Sequence, residues 1–240
     1  MYTGKKYVTP IPRGENDYNI IFPSRDSYLL CMKHDWKKSE KQFYAPKGEP
    51  EKISIPAMNF FSIRGEGNPN SPEFGEYISV LYALSYGVKM SPRQGLAPDG
   101  YFEYSIYPLE GVWDLKEEAR AKSMEILDKD ALVFNLMIRQ PEFVTPEFAA
   151  EVIERVAKKK PHPLFSNVNF ETITEGNCVQ MLHTGSFDDE PASFARMEAY
   201  AEANGLNRKS KIHREIYLKD ARKTAPEKLK TILRFTVVDH

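Results

Sequence analysis

The sequence predicts an α+β fold built from two related strand–helix–strand–strand units, at about residues 53–140 and 167–240. Apolar segments rich in β-branched and aromatic residues alternate with amphipathic segments of helical period. The same order of segments occurs twice along the chain. The two halves also match locally: residues 61–74 and 179–194 each run from a strand, through a polar turn containing glycine, into a helix with proline near its start.

The N-terminal part of the chain is expected to lie outside these units. Residues 1–33 contain three prolines among polar turns, which predicts an extension packed loosely on the main body. The next segment, "MKHDWKKSEKQFY" at 32–44, is rich in helix-forming residues and predicts a short helix. A cluster of proline and glycine at 46–50 then predicts a linker.

The first half of the chain is predicted to contain the three strands and one helix of the first unit and, after it, a second helix. The helices begin at Ser71 and Thr145, because each is a suitable N-cap followed by proline at the first helical position. Their apolar residues recur every three or four positions up to residues 89 and 160. The predicted strands are "ISIPAMNFFSIRG" at 53–65, "YFEYSIYPLEGVW" at 101–113 and "ALVFNLMIRQ" at 131–140.

The second unit repeats this order. A helix over 190–203 is predicted to end at Asn204 and Gly205, which are typical residues for closing a helix. Thr224 and Glu227 have the spacing of a capping box and predict one helical turn. The predicted strands of this half are "NFETI" at 169–173, "CVQMLHTG" at 178–185, "HREIYL" at 213–218 and "TILRFTV" at 231–237.

The composition excludes several functional classes. The chain has 240 residues with 41% hydrophobic and 28% charged residues, which is typical of a soluble globular protein. A net charge of −1 argues against nucleic-acid binding. The sequence contains neither an apolar run of membrane-spanning length nor a secretory signal, so a cytoplasmic location is expected. Cys31 and Cys178 lack metal-ligand spacing, as do the histidines, and no metal or organic cofactor is expected.

Two glutamates are the main candidates for site chemistry. Alternation along the strand at 213–218 places Glu215 and Tyr217 on one face. When the two units are aligned, Glu110 falls opposite Glu215 and Trp113 falls near Tyr217. If the units pair about an approximate two-fold axis, both carboxylates face one cleft, a typical small-molecule site when lined by aromatic residues. The predicted aromatic walls are Trp113, Tyr217, Tyr107 and Phe187.

The simpler alternative is that each glutamate is solvated or paired with a cation. Glu215 could pair with Arg214, Lys219 or Arg234. Met181 and His183, on the strand at 178–185, are further candidate ligand contacts, although a hydrogen-bonded structural role is the alternative for the histidine.

Four motifs resemble the GyrI-like small-molecule-binding domain, in particular its stand-alone bacterial members. They are "PLEGVW", "IRQPEFVT", "MLHTGSFDDEPASF" and "EIYLKDARKTAPEKLKTILR", and the resemblance covers roughly residues 34–240. It implies a duplicated β-α-β-β unit, the SHS2 pair, forming a curved antiparallel sheet with a central ligand cleft. Related domains are the effector-binding parts of multidrug-responsive transcription regulators. No helix-turn-helix segment precedes the domain here, so control of transcription is not expected.

Some stand-alone members are similar to hydrolases that detoxify cyclopropanoid DNA-alkylating compounds with a cleft glutamate and an aromatic partner. The matching residues are Glu110 with Trp113 and Glu215 with Tyr217, and the motif does not distinguish the essential glutamate. The leading hypothesis is therefore a hydrolase, with a glutamate as general base, Tyr217 as hydrogen-bond donor and Trp113 as stacking surface. The alternatives are a multidrug-binding module without turnover and a gyrase-interacting protein. The last is least favoured, because the acids of "SFDDEP" suit a helix N-terminus.

Overall fold

The computed structural model describes residues 33–120 and 128–239. Apart from Lys33, the predicted N-terminal extension lies outside the described residues, as does Cys31. Among the described residues, no helix combines the length and the apolar character needed to cross a membrane.

The described residues form helices and strands in an alternating order. The helices are α1 Trp36–Ser39, α2 Lys41–Tyr44, α3 Pro72–Lys89, α4 Glu117–Arg120, α5 Pro146–Lys159 and α6 Glu190–Ala203. The strands are β1 Glu51–Glu66, β2 Leu109–Leu115, β3 Leu132–Gln140, β4 Val168–Thr184, β5 Leu206–Arg208, β6 His213–Tyr217 and β7 Lys230–Asp239. Short 3₁₀ turns occur at Ser91–Gln94, Lys129–Ala131, Pro163–Asn167, Phe187–Asp189 and Pro226–Lys228.

Six of the strands form a closed antiparallel barrel. The strand order is β4-β1-β3-β2-β6-β7, and β7 pairs back with β4 to close the sheet. The short β5 pairs with the end of β7. The α+β class and the curved antiparallel sheet are therefore confirmed. Strand, helix, strand and strand follow one another in both halves, apart from the short α4 and β5. That the halves are duplicated SHS2 units stays a prediction.

The capping residues in the sequence correctly predicted where α5 begins and where α6 ends. Thr145 caps α5, since its Oγ1 accepts a hydrogen bond from the Phe148 backbone N–H at 3.2 Å. Asn204 ends α6, and Gly205 follows with a φ of +66°. The single helix predicted at 32–44 is instead two short helices, α1 and α2, which are separated by Glu40.

The predicted strands of two regions require correction. The segment 101–113 enters the sheet only at Leu109, because Tyr104 forms an isolated parallel bridge with His34 instead of pairing within the barrel. The strands predicted at 169–173 and 178–185 are one long strand, β4. This strand continues through Gly176, whose φ of +70° allows a local irregularity without ending the strand.

Buried ion pairs cross the interior of the barrel. Arg214 on β6 donates from Nη1 to Glu110 Oε2 at 2.6 Å, and its Nε lies 2.9 Å from Glu175 Oε1 on β4. Arg234 on β7 contacts the other oxygen of Glu175 at 2.9 Å. The strands β6 and β4 are not neighbours in the sheet, so these side chains meet across the barrel interior. The contacts therefore show which side of each strand faces inward. Burial raises the pKa of Glu175, but the charges of Arg214 and Arg234 outweigh it, so that the net pKa is lowered.

The segment containing α1 and α2 covers one end of the barrel. Arg234 Nη2 donates to the Phe43 carbonyl at 3.2 Å, and Gln180 Nε2 donates to the Gln42 carbonyl at 3.0 Å. Tyr44 of the same segment is buried. The backbone of this segment therefore satisfies donors that the barrel buries.

Helices cover the outer side of the barrel in two separate groups. The helices α3 and α5 pack on β1 and β3 around a large core that includes Phe61, Ile63, Leu81, Leu136 and Val152. The helix α6 packs on β4 and β7 around a smaller core of Val179, Met181, Met197, Leu233 and Phe235. The strands β2 and β6 lie side by side between these groups in the sheet.

Removing the shared cation of the barrel interior tests this network. Arg214→Leu leaves the carboxylates of Glu110 and Glu175 buried without the Arg214 guanidinium. We therefore expect the free energy of unfolding to fall by about 3–5 kcal/mol. Chemical denaturation measures this change. The matched control is Arg222→Leu, which removes a mostly exposed cation from Asp220 and should change stability by no more than about 1 kcal/mol. Equal effects of the two substitutions would contradict the buried network.

Candidate functional site

The outer side of β2 and β6 brings together the aromatic and acidic residues of the candidate site. In the antiparallel pairing Gly111 lies opposite Glu215, and Trp113 lies opposite His213. Opposed residues point to the same side of a sheet, and alternate residues of one strand do so as well. Trp113, Glu215 and Tyr217 therefore share the outer side, as the alternation in the sequence predicted for Glu215 and Tyr217.

A chain of hydrogen bonds ends at the Glu215 carboxylate. Trp113 Nε1 donates to the Tyr217 hydroxyl at 2.8 Å, and that hydroxyl donates to Glu215 Oε2 at 2.8 Å. His213 Nε2 lies 3.1 Å from the other oxygen, Oε1. Burial and the neighbouring Glu215 raise the pKa of Tyr217 well above its usual value, so that the phenol remains a hydrogen-bond donor.

Aromatic rings surround this chain on several sides. Phe74, from the first turn of α3, stacks on Trp113 with ring centroids 5.9 Å apart. Phe187 meets Tyr217 edge-on at 5.9 Å, and Phe194 of α6 meets His213 at 4.7 Å. Phe187 is 38% exposed whereas Trp113 is 5% exposed. Phe187 therefore stands at the mouth of the site and Trp113 at its base.

Gly111 provides the space in which Trp113 and Tyr217 meet. A Cβ atom at position 111 would lie 2.7 Å from Trp113 Nε1 and 3.1 Å from the Tyr217 hydroxyl. The first distance is shorter than real Cβ contacts, and the second requires the hydroxyl to move slightly. The hydrogen bond between the two aromatic residues therefore depends on glycine at this strand position.

Glu190 is a second acid at the site, and it was not among the site residues predicted from the sequence. Glu190 is the first residue of α6, is 6% exposed, and its Oε1 has no hydrogen-bond partner among the described residues. Burial raises its pKa most, and the neighbouring carboxyl group of Glu215 raises it further. The resulting pKa lies well above the ordinary value, so Glu190 is protonated near neutral pH.

A signal for Glu190 was present in the sequence. The acids of "SFDDEP" were attributed to the helix dipole, but Glu190 lies four, seven and eleven residues before Phe194, Met197 and Ala201. This spacing is the apolar stripe of an amphipathic helix. Glu190 is therefore on the side of α6 that packs on the sheet, where an acid is unusual.

The expectation that Glu110 and Glu215 converge on one cleft is wrong. Glu110 lies opposite Ile216 in the pairing of β2 and β6, one position away from the pair of Gly111 with Glu215. A shift of one residue moves a side chain to the other side of a strand. Glu110 consequently points into the barrel, where it binds Arg214. The position on β2 that shares the side of Glu215 is Gly111.

Three other predicted ligand contacts lie apart from the Trp113–Tyr217 pair. The Tyr107 hydroxyl donates to Glu40 Oε1 at 2.6 Å, in a cluster with His34 and Arg139, because residues 101–108 follow the N-terminal helices instead of β3. Met181 is buried beneath α6. His183 accepts from Ser193 Oγ and donates to the Ser186 carbonyl, both at 2.9 Å, and so holds the turn that carries Phe187.

The site can perform acid–base chemistry on a flat ligand. A carboxylate, a phenol and a protonated acid lie together against aromatic rings, and water is largely excluded from them. Among the described residues, no three His, Cys, Asp or Glu side chains are arranged to hold a metal ion.

Adding one methyl group at Gly111 tests the packing of the site. Gly111→Ala is expected to break the hydrogen bond between Trp113 and Tyr217 and to lower the free energy of unfolding by about 1–3 kcal/mol through overpacking. Indole N–H NMR shifts and chemical denaturation measure the two effects. Gly75→Ala is the matched control, since a Cβ there meets nothing within 4 Å. An unchanged indole resonance of Trp113 in Gly111→Ala would contradict the assignment.

The protonated state of Glu190 predicts a dependence of stability on pH. Its pKa is higher in the folded than in the unfolded chain, so the folded chain binds the extra proton between the two values. The contribution of this group to the free energy of unfolding is fully present below the ordinary glutamate pKa. It falls as pH rises, by up to about 1.4 kcal/mol per pH unit. Glu190→Gln lacks this term. Denaturation from pH 5 to 9 should show that the free energy of unfolding of the variant rises relative to that of the parent as pH increases. A difference that stays constant over this range would contradict the prediction.

A search of curated proteins gave no significant match. Among solved structures, the chain is similar to a protein described as a hydrolase from Listeria innocua, with 40% identity and a TM-score of 0.77. It is also similar to an uncharacterized conserved protein from Listeria innocua, with 41% identity and a TM-score of 0.78. Each match covers 86% of this chain and 100% of the other chain.

The family profile described as the GyrI-like small molecule binding domain matches residues 48–237. The match includes the strands and helices that form the Trp113–Glu215–Tyr217 site. It confirms the resemblance drawn from the sequence motifs, and the chain belongs to the family of GyrI-like small-molecule-binding domains.

Proposed function

We propose that the protein binds planar aromatic compounds between α3 and α6 and opens the strained ring of cyclopropanoid electrophiles by hydrolysis, with Glu215 as general base. The observation that carries the proposal is the hydrogen bond of 2.8 Å from the Tyr217 hydroxyl to Glu215, among the aromatic rings of Trp113, Phe187 and Phe194. Membership of a small-molecule-binding family supports the binding step. The 40% identical Listeria protein described as a hydrolase supports turnover.

The reaction needs one base and one hydrogen-bond donor. Water attacks a cyclopropane carbon, the ring C–C bond breaks, and its electron pair passes through the conjugated system to the carbonyl oxygen. Glu215 takes one proton from the attacking water, and the oxygen is protonated to give a phenol. When substrate is bound, the Tyr217 hydroxyl turns from Glu215 and donates its one hydrogen bond to the developing oxyanion, and its raised pKa keeps the proton on the phenol.

The aromatic residues bind and enclose the ligand. A ligand that displaces Phe74 stacks on Trp113, whose indole N–H already holds the Tyr217 hydroxyl. A ligand enters past the exposed ring of Phe187 and displaces it from Tyr217. Exclusion of water by the ligand then strengthens the hydrogen bonds at Glu215.

A second candidate function is sequestration of flat cationic compounds without turnover, as in a multidrug-binding module. The observation that favours it is the Glu215 carboxylate beside aromatic rings, which suits a delocalised cation. The gyrase-binding hypothesis gains no support, because Glu190 of the acidic stretch is buried and does not contribute to an acidic surface.

The domain organisation and location are part of the same proposal. We take the domain to span residues 34–240 after an extension of residues 1–33, in a cytoplasmic protein without cofactors. Trp113 follows Gly111 with the same spacing as Tyr217 follows Glu215. This equivalence, together with the repeated order of elements, supports duplicated SHS2 units.

Replacement of Glu215 tests the hydrolase proposal. The protein is incubated with a cyclopropanoid alkylator, and the ring-opened product is followed by mass spectrometry. Glu215→Gln removes the base while keeping the shape, and we expect ring opening to slow by about 10²–10⁴-fold. Glu110→Gln removes a carboxylate from the inner side of the same strand pair. It is expected to lower stability and to leave ring opening by the folded protein near the parent rate.

Two results would count against the proposal. Hydrolysis at the parent rate by Glu215→Gln would exclude Glu215 as the base. Tight binding of a flat cationic dye by the parent, with no chemical change in any cyclopropanoid tested, would favour sequestration instead.

A further inference from the structure

We infer that Glu190 is a positioning residue for Glu215: it keeps the one proton that the two carboxyl groups share and donates it to Glu215 in a hydrogen bond. The kinetic part of this inference rests on the proposed hydrolysis, and its structural part does not.

The location of Glu190 leaves it few other roles. It starts α6 on the side that packs against the sheet, and only 6% of the residue is exposed. Its Oε1 has no hydrogen-bond partner among the described residues, which is a costly arrangement for an ionised oxygen but a tolerable one for a neutral acid. Phe187, three residues before it, packs on Tyr217, and Phe194, four residues after it, packs on His213. Glu190 therefore faces Glu215, which lies between these two residues on the same side of β6.

The charged groups that face Glu190 favour a retained proton. Glu215 lies on β6, and Asp188, whose carboxylate is 3.3 Å from Lys129 Nζ, lies in the turn before α6. Tyr217 also lies within electrostatic range of Glu190. His213 Nε2 lies 3.1 Å from Glu215 Oε1. Two buried carboxyl groups in contact cannot both ionise without strong repulsion, and so they share one proton.

The shared proton completes the set of donors around Glu215. Tyr217 donates to Oε2, His213 Nε2 lies 3.1 Å from Oε1, and Glu190 faces the same carboxyl group from α6. Together these groups from β6 and α6 hold the Glu215 carboxyl group in one orientation. Loss of the Glu190 proton at alkaline pH replaces an attraction by repulsion, and Glu215 is then displaced from this orientation.

The pH dependence of turnover tests this role with two substitutions. Glu190→Gln keeps a neutral donor, whereas Glu190→Ala removes it. We expect the parent to lose kcat at alkaline pH and Glu190→Gln to keep much of its kcat without that alkaline loss. Glu190→Ala should lose about 10²-fold in kcat at neutral pH, as expected for a misplaced catalytic group, with a smaller change in KM. Glu202→Gln, on the exposed side of α6, is the matched control and should follow the parent.

Two outcomes overturn the role. One is the same alkaline loss in Glu190→Gln as in the parent, and the other is a parent-like kcat in Glu190→Ala. Circular dichroism checks that each variant is folded. If Glu190→Ala does not fold, the comparison of pH profiles between the parent and Glu190→Gln still tests the positioning role of Glu190.

Infrared spectroscopy tests the shared proton without any substrate. The parent at neutral pH is expected to show the carbonyl stretching band of a protonated carboxylic acid, and Glu190→Gln is expected to lack it. A parent spectrum without this band overturns the inference, whatever the activity. If the band is present but no cyclopropanoid is hydrolysed, the proposed reaction fails and the positioning of Glu215 by Glu190 stands.

Discussion

Closure of the sheet is the constraint on which the site depends. Once β7 pairs with β4, every strand of the barrel has one side directed at the interior and one side directed at the helices. Glu110 and Arg214 point inward and bind each other, whereas Glu215 and Tyr217 point outward. A carboxylate on the inner side must be neutralised by a cation, because water does not hydrate it there. The Glu215 carboxylate, on the outer side, contacts Tyr217 and His213.

The proposed binding site lies on the outer side of the barrel, where the helices form two separate groups. The helices α3 and α5 pack on one part of the barrel and α6 packs on another, with β2 and β6 between them. Phe74 reaches this strip from α3, and Glu190 and Phe194 reach it from α6. Residues near the starts of α3 and α6 therefore flank Glu215, which lies on β6.

The chemistry of the site follows from how few polar groups it contains and how closely they are linked. Trp113, Tyr217 and Glu215 form one chain of hydrogen bonds, and Gly111 leaves the space for it. Glu190 adds a second acid whose raised pKa arises from burial beside Glu215. Such an arrangement holds a carboxylate, a neutral acid and a phenol close together among aromatic rings, which suits the proposed reaction, in which protons move during the attack of water.

Short-range signals in the sequence determined the helices and the pairing of Glu215 with Tyr217 on one side of a strand. N-caps and C-caps act within one turn, and alternation acts within one strand, so neither needs the rest of the fold. The side on which Glu110 lies, the distance of Tyr107 from the site and the partnership of Glu190 with Glu215 were decided only by the tertiary structure. Each depends on strand register or on contacts between segments far apart in the chain, and a register shift of one residue reverses the direction of a side chain.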